Sequence, residues 1–251
     1  MILVIDTATS RAVLGLGRNS NGSADELASR SWPVRHQHGE TLLPTLVTFL
    51  AESDASFADL QGIVVGTGPG AFTGLRVGLA TAKGLAHGLG LPIVGISTGV
   101  ALIAAARASD AARAIDAARA PRSVEASAPA DAVSSAHADA VVVLLLPAGP
   151  NDRVVVRSGL TPELLPGGVE PDIGRADDLV AVDLEGRAPA DAIARGDAAR
   201  DGLAAALYRL GMARLAAGEP DDLAALVPEY VTLPRGIRAS SGEMAWSRDH
   251  R

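Results

Sequence analysis

The run Gly66-Thr-Gly-Pro-Gly-Ala-Phe-Thr-Gly-Leu-Arg-Val-Gly78 follows the short apolar strand Ile63-Val-Val65 and opens directly into a helical pattern. Gly68, Pro69 and Gly70 are turn residues, and Thr73 is placed to cap a helix that begins near Gly74. A strand, a glycine turn and a helix in this order either cradle a ligand or allow backbones to pack unusually close. The dinucleotide fingerprint is a poor match. The glycines are not spaced G-x-G-x-x-G, the unit is not the first of the chain, and strand 93–96 ends in Ser97 with no acid for a ribose. No G-x-x-x-x-G-K-[ST] occurs, which excludes a P-loop. The helix itself carries a four-residue ladder, Gly74, Gly78, Ala82 and Ala86, so one face is nearly bare backbone. Leu75, Leu79, Ala82, Ala86 and Leu89 also recur at a helix-pairing period. A glycine costs a helix interior about 1 kcal/mol relative to alanine, and a closely packed neighbour is one way to offset it. Packing within the chain's own lobe and packing against another subunit both satisfy the pattern.

Outward from this stretch, Ile2 to Asp6 reads as a buried strand, Ala12 to Gly17 as a second, and Asp25 to Trp32 as a third. A helix starts near Glu40, with Pro44 close to its first turn and Leu42, Leu43, Leu46, Val47 and Leu50 at helical spacing. After strand 63–65 and the helix to about 89 come strand Ile93 to Ile96 and a helix from Thr98 to about Arg107. The resulting order, βββαβαβα, is that of one ribonuclease H-like lobe of the actin-like, Hsp70-like (ASKHA) α/β fold. Residues 107–139 contain 13 alanines in 33 positions and little sustained apolar face, so they read as an inserted or poorly ordered segment, helical at most at its start. Strands at 141–146, 154–156 and 179–184 and a helix from Asp201 to Ala217 make a second, reduced lobe. The expected division is a first lobe at 1–98, a second at 99–220 and a tail at 221–251.

The chain has 251 residues, 48% of them hydrophobic, a net charge of -7 and no cysteine. That is enough for a sizeable core, and it rules out disulfides, thiolate nucleophiles and cysteine-held zinc. The acidic balance argues against a chain that grips nucleic acid unaided. With no apolar run near the roughly 20 residues needed to cross a bilayer, and no basic signal segment, the expectation is a cytoplasmic protein without a membrane contact. Asp6, Thr7, Thr9 and Ser10 put an acid and three hydroxyls in the first hairpin turn, where this fold class holds nucleotide phosphates; a turn that caps its own backbone is the alternative. His36 and His38 precede the first helix, but the residue one turn past His38 is Leu42, so the pair makes a poor metal site. No H-E-x-x-H or G-x-S-x-G motif is present, and no catalytic or metal-binding residue is assigned.

Taken together, Met1-Ile-Leu-Val-Ile-Asp-Thr-Ala-Thr9, His38-Gly-Glu-Thr-Leu-Leu-Pro44, the glycine run and Gly95-Ile-Ser97 resemble the TsaB family, also called YeaZ. The likeness covers about residues 1–98 and resumes at Pro228-Glu-Tyr230 and Trp246. It implies a non-catalytic subunit of the machinery that makes threonylcarbamoyladenosine beside the anticodon of tRNA. The catalytic relative in that machinery, TsaD, holds its metal with two histidines one helical turn apart, and Leu42 stands where the second would be. The resemblance also implies that the first two helices dock on TsaD, which makes Leu42, Leu43, Leu46, Val47, Leu50, Gly74, Leu75, Arg76, Gly78, Leu79 and Lys83 the expected contacts. A TsaE-like ATPase joins the complex, and tRNA is met only through it. ATP, magnesium and the transferase metal belong to the partners, with a nucleotide at the subunit boundary and a homodimer in the partner's absence left open. The rival reading is a nucleotide hydrolase or kinase of the same fold working through Asp6 and the Thr7 to Ser10 turn.

Overall fold

Alternation along the strands decides the architecture. In the computed structural model, which describes residues 1–18, 27–34, 38–119, 141–174 and 177–231, five strands form a first sheet in the order β3-β2-β1-β4-β5. These are β1 (Ile2–Asp6), β2 (Arg11–Gly17), β3 (Leu27–Pro33), β4 (Gly62–Gly66) and β5 (Ile93–Ile96). β1 runs antiparallel to β2 and parallel to β4, with Val4 opposite Val64. Leu3, Ile5, Ile63 and Val65 point to one face, where helices α1 (His38–Glu52) and α2 (Phe72–Leu89) cover them. Ile2, Val4 and Val64 point to the other. Both faces of the central strands are buried, as a period of two demands when each side is covered.

The second sheet, β8-β7-β6-β9, contains β6 (Val142–Ala148), β7 (Asp152–Arg157), β8 (Glu163–Leu165) and β9 (Asp178–Ala181). β6 and β7 form an antiparallel hairpin, and β9 lies parallel to β6. Leu144, Leu146, Val154 and Val156 face inward and join the inner face of the first sheet through α3 (Thr98–Arg119) and α5 (Leu203–Ala216). Val143, Leu145 and Val155 face outward beside α4 (Ala190–Asp201). The layers are therefore α1/α2, sheet, α3/α5, sheet, α4. The two sheets share one central core, and α5, expected in the second lobe, lies directly on the first sheet. Gly211 of α5 makes this approach possible, because a Cβ there would overlap Val64.

Several boundaries differ from expectation for identifiable reasons. Helix α1 begins at His38, so Pro44 sits in its second turn and cannot donate to the Glu40 carbonyl. Thr73 is inside α2; the N-cap is Ala71, without a side-chain hydrogen bond, while Gly90 ends the helix in the left-handed conformation at φ 66°. Helix α3 continues to Arg119, well past 107, carried by alanine-rich sequence whose outer turns are exposed. The rest of the expected insertion lies outside the described residues. The helix expected over 201–217 is α5, preceded by an unforeseen α4, whose buried positions are only Ala192, Gly196 and Ala199. Among the described residues no helix is long and apolar enough to cross a membrane.

Candidate functional site

The glycine turn is shaped by its own lobe. Gly66 ends β4 against the Asp6 carboxylate, and a Cβ there would overlap Asp6 Oδ2. Gly68 has φ 109° and precedes a cis peptide to Pro69. Its N–H donates to Thr98 Oγ1 at 3.1 Å, and its carbonyl accepts from Ser97 Oγ at 3.0 Å. Gly70 lies against the Ala8 carbonyl, which also accepts from the Ala71 N–H at 2.7 Å. Thr7 Oγ1 donates to Gly74 O at 2.7 Å, and a Cβ at Gly78 would overlap that hydroxyl. The face bearing Gly74, Gly78, Ala82 and Ala86 therefore packs inward on β1 and its turn, and the inference that it admits a neighbouring subunit is corrected: all four residues are buried.

Asp6 is fully buried. Its Oδ2 accepts from Thr98 Oγ1 at 2.6 Å and its Oδ1 from the Ala8 N–H at 2.9 Å, yet burial outweighs both bonds and pushes its pKa up to about 6. The folded state therefore binds this proton more tightly than the unfolded chain does. The corresponding stability is fully present below the unfolded pKa near 4 and is lost as pH rises through 6. Wild-type protein should gain about 1.4 kcal/mol from this group between pH 7.5 and pH 5. Urea titrations of wild type and Asp6→Asn at the two pH values check it: the gain is expected in the difference between the two proteins.

The other three members of the proposed phosphate turn are also occupied by protein partners. Thr7 is bonded to α2 as above, Thr9 Oγ1 donates to Arg11 O at 2.9 Å, and Ser10 is held by Asp183 of the second lobe. His38 opens α1, and one turn later Leu42, 1% exposed, belongs to the core. Among the described residues no group of three His, Asp or Glu could hold a metal.

Helices α1 and α2 present two different faces, and the expected contacts divide between them. Leu42, Leu46, Leu50, Leu75 and Leu79 are buried in the chain's own core, together with Gly74 and Gly78, so their assignment as partner contacts is corrected. An amphipathic helix spends its apolar stripe on the sheet beneath it first. Leu43 and Val47, 47% and 54% exposed, point away from that core. On α2 the exposed small residues are Ala80, Gly84 and Gly88, a second ladder offset from the buried one; a Cβ at Gly84 or Gly88 would meet open space.

Arg76 and Lys83 serve a segment that sequence reasoning left unplaced. Residues 219–231 run back along the first lobe as a strap: Asp221 N–H donates to Ile93 O at 2.8 Å and Glu229 N–H to Thr67 O at 2.7 Å. Lys83 Nζ donates to Leu226 O at 3.0 Å, and Arg76 Nε to Tyr230 Oη at 2.9 Å. The Arg76 guanidinium stands 3.8 Å from the Phe72 ring centroid, with the Tyr230 ring 5.0 Å from that of Phe72. The lone lysine and the aromatic residue in a Pro-punctuated tail were the available signals. Between the glycine turn and the β6–β7 turn lies a cleft of about 360 Å³, lined by Pro69 to Phe72, Pro147 to Asp152, Val154 and Val231.

A family model described as TsaD, tRNA N6-adenosine threonylcarbamoyltransferase, matches residues 33–142. An uncharacterised protein of Mycobacterium bovis is 40% identical over 95 residues, 38% of this chain and 44% of that one. The tRNA threonylcarbamoyladenosine biosynthesis protein TsaB of Escherichia coli is 39% identical over 98 residues, 39% of this chain and 40% of that one. The chain thus spans less than half the length of these curated relatives. The solved structure of YeaZ from Pseudomonas aeruginosa superposes with a TM-score of 0.59 at 20% identity, covering 91% of this chain and 98% of that one. The fold is that of YeaZ, a two-lobed actin-like fold, and 98 residues of the chain are related in sequence to TsaB.

Proposed function

We propose that this chain is a non-catalytic subunit in threonylcarbamoyladenosine formation on tRNA, binding a TsaD-like transferase through the outward face of α1 and α2 and making it competent. The observation that carries the reading is that face: Leu43 and Val47 stand exposed on α1, and Ala80, Gly84 and Gly88 leave the α2 backbone bare. Exposed aliphatic side chains facing a small-residue stripe suit close packing of helices between subunits. The matched family model, over residues 33–142, includes both helices.

In this reading ATP, magnesium and the transferase metal belong to partner subunits, one of them a TsaE-like ATPase. The net charge of -7 fits a chain that meets tRNA only within the complex. Without its partner the same helical face is free to pair with a second copy. The test is reconstitution from purified components, with modified adenosine in tRNA measured by mass spectrometry. Transferase and ATPase should modify tRNA only when this chain is added. Full modification without it would overturn the proposal. Calorimetry with Mg-ATP on the isolated chain addresses the hydrolase rival: tight binding with turnover would favour that reading.

A further inference from the structure

The loop that follows β9 touches both lips of the interlobe cleft. Asp183 Oδ2 accepts from the Ser10 N–H at 2.6 Å, and its Oδ1 accepts from Ser10 Oγ at 2.5 Å and from Arg200 Nη1 at 2.6 Å. Asp183 holds a left-handed backbone, φ 57°, that directs its carboxylate across to the first lobe. Ser10 ends the turn whose Ala8 carbonyl accepts from the Ala71 N–H and packs on Gly70, two residues of the first lip. Four residues after Asp183, Arg187 Nη1 donates to Gly149 O at 3.2 Å and Pro150 O at 3.0 Å, both in the second lip. Arg187 Nη2 also reaches Asp183 O at 3.5 Å, tying the two grips together.

We propose that the 183–187 loop is a clamp that sets the width of the cleft, with Asp183 gripping the β1–β2 turn of the first lobe and Arg187 the β6–β7 turn of the second. The shared core under α3 and α5 keeps the sheets together, so the clamp governs the mouth of the cleft and not the association of the lobes. Its carboxylate occupies the Ser10 donors, so the hairpin turn is closed by the chain itself. An Asp–Arg pair with both side chains mostly buried, 10% and 15% exposed, makes this grip resistant to salt.

The chain has no cysteine, so spin labels can be placed cleanly at Ala71→Cys and Asn151→Cys, exposed positions on opposite lips. Electron paramagnetic resonance on the full chain should give a narrow label-to-label distribution. Asp183→Ala and Arg187→Ala should each broaden it, roughly doubling its width, and Ser10 amide exchange should rise about tenfold or more in Asp183→Ala. If Asp183→Ala does not fold, Asp183→Asn, which keeps an acceptor for Ser10 but loses the ion pair, is read in its place. Unchanged distributions in the folded variants would overturn the clamp.

Discussion

A chain carrying Leu43→Asp and Val47→Asp should keep its circular dichroism spectrum and lose co-elution with a TsaD-like transferase. Both side chains are about half exposed, so a charge there leaves the monomer core untouched. At the centre of a helix-to-helix contact the same two carboxylates would be desolvated without partners, and such changes cost several kcal/mol of binding, a hundredfold or more in affinity. The adjacent position supplies the contrast. Leu46 is fully buried under the sheet, and Leu46→Asp should unfold the chain, because a buried unpaired charge exceeds what a domain of this size can absorb. Gly84→Leu extends the same test to α2, where open space receives the side chain in the monomer while a packed partner would not. Retained co-elution in Leu43→Asp/Val47→Asp would remove the outward face from the interface.

The second large effect is expected at the glycine turn. Gly66→Ala places a methyl group into the Asp6 carboxylate and within 2.8 Å of Thr98 Oγ1, in the bonded network that also holds the Gly68 N–H. Nothing in that network can yield without stranding a buried polar group, so a loss of about 4 kcal/mol or more is expected. Gly84→Ala is the control in the same region of sequence. It lies on an exposed helix face with open space, so the alanine should stabilise the chain by up to about 1 kcal/mol. Denaturant midpoints of the two variants measure both. Equal stability for Gly66→Ala and wild type would contradict the packing account of the glycine run.

The first lobe was readable because its strands are continuous apolar runs and its helices have strong apolar stripes. Ile2 to Asp6, Ile63 to Val65 and Ile93 to Ile96 all fall where expected. What sequence alone misjudged was which side of each helix faces the sheet. The periodicity of Leu42, Leu46, Leu75 and Leu79 marks a buried face but does not say whether the chain or a partner buries it, and the chain's own sheet takes it first. The glycine ladder carried the same ambiguity, resolved by Thr7, which lies directly against Gly78 and bonds to Gly74 O. In the second lobe α4 escaped notice because it buries only alanine and glycine, which give no hydrophobic period. The strap at 219–231 escaped because its grip combines two backbone hydrogen bonds with side-chain contacts from Arg76, Lys83 and Arg214, cations that look like ordinary solvated helix residues. The clamp depends on a 173-residue separation between Ser10 and Asp183, which no local pattern encodes.

Hydrogen–deuterium exchange of this chain, alone and mixed with the TsaD-like transferase of the same organism, tests the central claim most directly. Peptides covering 38–52 and 72–89 should become protected on mixing, while those from β6 to β9 stay unchanged. Protection confined to the second lobe, or none in either helix at saturating transferase, would contradict it.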